Sequence, residues 1–410
     1  MSSSDDLLPT LRLTHADGVG PVTYRRLVRV FGSPEAVLSA PQHRLVEVPE
    51  ISPRVAESIR AARNDPWADA ELERAHAAGV RLLGLGDPCY PKILLNTYDP
   101  PPVLYVKGDL QDTDALAVAI VGTRKCSHYG RVQSERLAAG LVLAGFTVVS
   151  GLARGIDSAA HSAAIEQTGG RTIAVLGTGM DNIYPPENKK LFDAIVAGHG
   201  AVVTELPFQS PPAREHFPRR NRIIAGLSLG VIVVEGEETS GALITARNAV
   251  DMDREVFAVP GSIDSPNSRG PHRLIKHGAK LIEGVEDVLE ELKGIIDPLV
   301  MLKAPDERLR VPKPRKEVSA PLLERANIPL VRPVPEKQKD SRPGVTDLRA
   351  VKLNPREQKL FALLDTTESK GVDELIRASG LQAHEVLATL LVLEVRRLCR
   401  QLPGKRFVKA

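Results

Sequence analysis

Aromatic residues are scarce in this 410-residue chain: Phe, Trp and Tyr together make up 4% of it, so few side chains are available to stack on a planar ligand. Cysteine is scarcer still. Cys89, Cys126 and Cys399 lie far apart with no paired spacing, which points away from a zinc site and a disulfide framework and fits a reducing cytoplasm. No apolar run approaches the ~20 residues of a membrane span. Met1 to Pro9 lacks the basic start and apolar centre of a secretory signal, so a cytoplasmic protein is expected. Charge of one sign is missing too: 54 Lys and Arg face 51 Asp and Glu, a net +3, and only the distribution of charge could argue for a polyanionic partner. Two phosphate motifs are absent. There is no G-x-x-x-x-G-K-[ST] loop for ATP, and Gly177-Thr178-Gly179 begins like a dinucleotide fingerprint but has Asn182 at the third glycine position. No Ser–His–Asp order, metal-ligand spacing or thiolate environment stands out, so neither a metal nor a cofactor is expected.

What is present is a repeated strand, glycine turn and helix. Leu116 to Val121 is a short apolar, β-branched run that leads into Gly122-Thr123-Arg124. Phe146 to Val149 leads into Ser150-Gly151-Leu152-Ala153-Arg154-Gly155-Ile156-Asp157, and Thr172 to Leu176 into Gly177-Thr178-Gly179-Met180-Asp181. Spacing of this kind predicts a Rossmann-like, doubly wound, mostly parallel α/β sheet. Ligands of such sheets sit at the carboxyl ends of the strands, where glycines let backbone N–H groups and helix N-termini approach a phosphate. An anion-binding crevice is therefore expected at the three loops. The most basic folded stretch, Arg214 to Arg222, carries five Arg or His in nine residues around Phe217. Pro218 is expected to open a helix that aims Arg214, Arg219, Arg220 and Arg222 at one spot, with Phe217 free to stack on a base. Carboxylates at strand ends, Asp157, Asp181, Glu205 and Glu235, could in principle act as acid and base, but holding glycine loops and capping helices is the commoner use, and His161 reads as a packed histidine.

The flanks differ in composition. Residues 1–68 read as a helical module in which Asp17-Gly18-Val19-Gly20-Pro21 resembles a helix-hairpin-helix turn; Val48 to Pro53 is a weaker copy without glycines. Such a turn either contacts DNA phosphates or survives as a packing device, and a single intact copy favours packing. Residues 69–296 hold the sheet, with Arg81–Leu85 and Val103–Lys107 extending one edge and Val285–Leu292 as its last helix. Residues 297–354 contain nine prolines and thirteen Lys and Arg against eight Asp and Glu, the composition of an extended linker. Residues 355–410 predict three helices (358–364, 372–378, 385–398) and a hairpin, a winged-helix domain. Its candidate recognition helix, Gln382 to Arg397, has Glu385 and no Lys or Arg in its first half, which argues against DNA readout.

Taken in order, Val121-Gly122-Thr123-Arg124, Ser150 to Asp157, Leu176 to Gly179, Phe217-Pro218-Arg219-Arg220-Asn221-Arg222-Ile223-Ile224-Ala225-Gly226 and Val259-Pro260-Gly261 resemble the DNA-processing protein A (DprA, or Smf) family over about residues 80–293. The resemblance implies a single-stranded DNA-binding protein, not an enzyme, that acts in natural transformation, loads RecA recombinase onto the strand and displaces single-strand-binding protein. It implies DNA contacts at Gly122, Arg124, Ser150, Gly151, Arg154, Gly155, Asn188, Lys189, Arg214, Phe217, Arg219, Arg220, Asn221 and Arg222, and a homodimer contact near His272 and Leu281. Arg214 stands where some relatives have lysine. The fold also resembles the lysine-decarboxylase-like phosphoribohydrolases, the alternative reading. Their P-G-G-x-G-T-x-x-E stretch corresponds here to Glu238 to Ala246, which lacks the glycine pair and the glutamate.

Overall fold

The computed structural model describes residues 7–301 and, in the C-terminal module, residues 354–365, 369–382, 385–386, 389–390, 392–393, 398–402 and 406–409. Five helices, α1 (Leu8–His15), α2 (Pro21–Phe31), α3 (Pro34–Ser39), α4 (Gln42–Val46) and α5 (Pro53–Ala62), form the N-terminal module around their own apolar core, which includes Leu13, Leu27, Val37, Leu45 and Ile59. The turn into α2 needs a positive φ, which Gly18 supplies at +84°. The second hairpin, expected to be a degraded copy, repeats the turn: Glu50 takes the same position at +67°, and Val19 and Ile51 each donate to the carbonyl three residues back. Its outer edge is occupied, because Arg26 reaches Pro49 O at 2.9 Å and Glu50 Oε2 at 2.7 Å.

Helix α6 (Trp67–Ala77) leads to a nine-stranded sheet. Its strands are β1 (Arg81–Gly84), β2 (Val103–Gly108), β3 (Ala117–Val121), β4 (Thr147–Ser150), β5 (Thr172–Val175), β6 (Gly200–Thr204), β7 (Gly230–Val233), β8 (Glu255–Ala258) and β9 (Lys280–Leu281), in the order β1-β2-β6-β5-β4-β3-β7-β8-β9. Strands β3 to β9 are parallel to one another, whereas β2 is antiparallel to β6 and β1 to β2, the expected edge extension. Alternate residues of the apolar strands serve opposite faces. Val118, Ile120 and Val148 pack under α8 (His128–Leu143), α9 (Ile156–Glu166) and α14 (Val285–Met301). Ala117, Ala119, Val121 and Val149 pack under α7 (Lys92–Leu95), α11 (His216–Gly226) and α12 (Gly241–Asp251). Helix α10 (Lys189–Ala194) follows β5, and α13 (Arg269–Lys276) precedes β9.

Two boundaries differ from the sequence expectation. Helix α11 starts at His216, so Pro218 is its third residue and not its first; the amide it lacks is one of the four that a first turn leaves unbonded. Helix α14 continues to Met301, because Ile295 still packs against the sheet core; the remainder of the proposed linker lies outside the described residues. In the C-terminal module, α15 (Pro355–Leu363) and α16 (Val372–Ser379) stand with a three-stranded sheet in the order β10 (Lys370–Gly371), β12 (Arg406–Lys409), β11 (Cys399–Leu402). The expected third helix falls partly outside the described residues; Val386, Leu390 and Leu393 within it join Leu360, Leu375 and Phe407 in one core.

Candidate nucleic-acid interface

Loops from the ends of β3, β4 and β5 meet the first turn of α11 around one small pocket. Arg124 comes from the first loop, Gly151, Ala153 and Arg154 from the second, Tyr184 and Pro185 from the third, and Phe217 and Arg220 from the helix. Phe217 is half-buried. Gly177 makes room for its ring, since a Cβ there would lie 2.8 Å from Phe217 Cδ1. The Arg124 guanidinium lies over the same ring at 5.0 Å, and Tyr184 tilts against it with ring centres 5.7 Å apart. The pocket lining thus combines three arginines with two aromatics and contains no carboxylate.

The glycine loops do different work from the phosphate cradle expected of them. In Gly151-Leu152-Ala153, all three N–H groups and all three carbonyls are engaged by the protein itself. Asp157 Oδ2 accepts from Gly151 N at 3.1 Å and Ala153 N at 3.4 Å, and His161 Nε2 accepts from Leu152 N at 3.3 Å. Arg220 Nη1 donates to Gly151 O at 2.6 Å, and Asn188 Nδ2 donates to Leu152 O at 2.8 Å and Ala153 O at 3.4 Å. Ser158 Oγ donates to Ala153 O at 2.5 Å. This saturation explains how Leu152, fully buried, holds a φ of +55° that a leucine rarely adopts. Gly122 and Gly155 are required by close packing: a Cβ on Gly122 would fall 2.5 Å from Ile156, and one on Gly155 would fall 2.4 Å from Thr123 O. The crevice between β3 and β7, where doubly wound folds bind ligands, is filled. Glu235 Oε1 accepts from Ser127 Oγ at 2.5 Å and Oε2 from Ser127 N at 2.9 Å, which closes the start of α8 with a carboxylate.

Helical phase sorts the basic run. Phe217 and Arg220, three residues apart, share a face and point to the pocket; Arg219 and Arg222 lie on another. Arg222 is 12% exposed and ion-paired to Glu205 and, at 3.3 Å, to Asp99, so the sequence expectation that it joins the crevice does not hold. Arg219 is exposed on the Glu205 side, where it helps offset the burial that raises the Glu205 pKa. Asn221 is buried and donates to Gly241 O at 3.2 Å, away from the pocket. Arg220 is 5% exposed: it ties the ends of β4 and β5 together through Gly151 O and Val175 O, and its Nε has no hydrogen-bond partner among the described residues. Burial pushes its pKa down to about 10, against the pull of Asp157 and with a push from Arg124, so it stays charged at neutral pH. Of Arg214, Arg219, Arg220 and Arg222, expected to converge on one spot, only Arg220 lines the pocket, and it does so with Arg124 and Arg154.

The remaining expected residues separate as follows. Ser150 is buried and donates to Ile120 O at 2.6 Å. Asn188 braces the second loop, also donating to Ser158 Oγ at 2.9 Å. Lys189 is exposed and paired with Asp193. Arg214 is exposed with no ion pair among the described residues. His272, on α13, is half-buried with Nε2 3.1 Å from Gly261 O, and Leu281 is exposed on the edge strand β9. Tyr184 and Glu187 were missed by sequence reasoning. Tyr184 was findable, because it is one of six tyrosines and stands beside Pro185 in the loop after the third strand. Asp157 holds the glycine loop as read, and His161, read as a packed histidine, is packed and also accepts from that loop. His161 is fully buried, and its Nδ1 lies 2.7 Å from Thr172 Oγ1, which donates to Val148 O; Nδ1 is therefore the protonated nitrogen and Nε2 the acceptor. Burial, seconded by Arg220, pushes its pKa down to about 3. Among the described residues there is no group of three potential metal ligands and no helix long and apolar enough to cross a membrane.

Fold and pocket together define a Rossmann-like protein that offers anions a cluster of arginine side chains on a rigid loop frame. The family model for DNA recombination-mediator protein A matches residues 81–293, that for the DprA winged helix domain residues 346–405, and that for the SAM-like helix-hairpin-helix tandem residues 10–65. The chain is 37% identical over 408 residues to Protein Smf of Synechocystis sp., covering 97% of each. It is 46% identical over 215 residues to DNA processing protein DprA of Bacillus subtilis, covering 52% of this chain and 72% of that one. The X-ray structure of DNA processing protein A from Streptococcus pneumoniae matches with a TM-score of 0.61 and 37% identity, over 71% of this chain and 99% of the other. The chain belongs to the DprA/Smf family of DNA recombination mediators.

Proposed function

We propose that this protein binds single-stranded DNA at the Arg124–Phe217 pocket and acts as a recombination mediator in natural transformation, without catalysis of its own. The observation that carries the reading is the lining: Arg124, Arg154 and Arg220 beside Phe217 and Tyr184, with no carboxylate or nucleophile among them. Arginines hold backbone phosphates, and an aromatic face takes an unpaired base of any sequence. A duplex keeps its bases stacked inside and offers nothing to that face. Arg214 and Arg219, both exposed, add positive charge outside the pocket. Family membership supports RecA recombinase and single-strand-binding protein as partners, and a homodimer formed through the face that carries His272 and Leu281. The hydrolase alternative gains no support from a pocket lined in this way. The test is a salt titration of binding to single- and double-stranded DNA of equal length. Single strands should bind more tightly at every salt concentration, with log K falling by roughly 0.7 per phosphate contact per decade of salt. Equal affinities, or a flat salt response, would overturn the reading.

A further inference from the structure

The three pocket arginines are not equally available. Arg220 is buried and committed to two carbonyls. Arg124 lies over Phe217 with no acidic partner among the described residues. Arg154, by contrast, is exposed and its Nε is hydrogen-bonded and ion-paired to Glu187 Oε1, which raises the arginine pKa and lowers that of the glutamate. Glu187 is not a wandering side chain that happens to meet a cation. It sits in the short turn Pro186–Asn188, directly after the pocket residues Tyr184 and Pro185. It is followed by Asn188, whose amide is fastened to Leu152 O on the very loop that carries Arg154 and to Ser158 Oγ in the first turn of α9. The carboxylate is thereby presented at the rim of a pocket that itself contains none.

A carboxylate and a phosphate ask the same thing of a guanidinium, a pair of oxygens facing its fork. Resting on the single-stranded DNA reading above, we infer that Glu187 is a built-in competitor for backbone phosphate, and that the strand must displace it to engage Arg154. Because both partners are about half exposed, the pair is weak and yields readily to a phosphate. Its effect is to lower affinity and speed release, an arrangement suited to a protein that passes its strand to another. Glu187 is thus an affinity-setting residue that touches no DNA itself.

The test is a double-mutant cycle on the full chain, read as the Kd for a fluorescent oligo-dT at low salt and as the dissociation rate on chasing with unlabelled strand. Glu187→Gln should tighten binding about three-fold and slow dissociation, because it removes a like charge that competes with the phosphate for Arg154. Arg154→Ala should cost about two-fold in the native background and about six-fold in the Glu187→Gln background, so that Glu187→Gln has no effect once Arg154 is gone. Glu73→Gln, which removes an exposed carboxylate on α6, controls for net charge. Additive effects of Arg154→Ala and Glu187→Gln would overturn the competitor role, and so would an equal gain from Glu73→Gln. Failure of the native protein to bind oligo-dT at all would instead overturn the function on which this inference rests.

Discussion

Arg124 and Arg222 belong to the same basic inventory, and removing each should read out on a different instrument. Arg222 lies between Glu205 and Asp99, two carboxylates whose pKa values burial pushes up and Arg222 pulls down. Arg222→Ala leaves Glu205, 10% exposed, as a buried charge without its principal partner, a change that costs about 3–5 kcal/mol. Urea denaturation should show that loss, while the salt slope of DNA binding at a temperature where the variant is folded stays unchanged. Arg124→Ala should do the reverse: unchanged urea stability, about ten-fold weaker binding to single strands, and a salt slope smaller by about 0.7. A large stability loss in Arg124→Ala, or a reduced slope in Arg222→Ala, would reverse the assignment. The difference between these arginines was only half legible in the sequence. Nine residues with five Arg or His announce an anion site, but on a helix they point several ways. The 3.6-residue period already groups Phe217 with Arg220 and sets Arg219 and Arg222 apart. The partners that hold Arg222 came from far along the chain, at Asp99 and Glu205, and no local pattern names them.

At the scale of the element, the segment Gly151–Ala153 behaves as a clamped rail. Its glycine marks it in the sequence, and the strand before it and helix after it are equally readable, so its place at the carboxyl edge of the sheet follows from the αβ alternation alone. Asp157 is readable as the holder of this loop; what could not be read is that His161 takes the Leu152 N–H, so that no donor of the segment is left facing outward. Glycine licenses a close approach without saying what approaches, and here the chain's own side chains do. This wiring makes the element sensitive to acid. His161 has a folded pKa of about 3 against an ordinary value of 6.5, so the unfolded chain takes up a proton that the native chain refuses. Its contribution to stability is whole above pH 6.5 and is lost as the pH falls from there toward 3, at ~1.4 kcal/mol per pH unit. Protonation would also set an N–H of the imidazolium against Leu152 N–H. His161→Gln should be less stable than the native protein at pH 7, and that deficit should shrink by about 2 kcal/mol at pH 5. Urea titrations at both pH values measure it; a deficit independent of pH would mean that His161 acts through shape alone.

At the scale of the whole molecule, every described residue of the pocket lies between Arg124 and Arg220, inside the doubly wound sheet and its connections. The C-terminal module has the outline of a DNA reader, three-stranded sheet and helices included, and outline alone would suggest a second DNA site there. Its chemistry argues otherwise. A recognition helix meets DNA with its N-terminal residues, and the helix that would do so carries Glu385 at that end. The Glu385 carboxylate accepts from Gln382 N at 3.0 Å and pairs with Arg356 at 3.5 Å, so the end that should welcome a phosphate already holds an anion, and a nearby arginine is committed to it. Arg406 is turned to the Ser369 hydroxyl and carbonyl, and Lys409 lies over the Phe361 ring at 4.3 Å, so two cations of the hairpin face their own module. Deleting residues 345–410 should therefore leave the affinity for single-stranded DNA within a few-fold of the full chain, with the salt slope preserved, because the phosphate contacts proposed above all lie in the sheet domain. Fluorescence anisotropy of the truncated and full-length proteins on one oligonucleotide decides the matter. A loss beyond about 100-fold, equivalent to ~2.7 kcal/mol, would make the wing a principal DNA site, and the acid at the start of its helix would then need a different explanation.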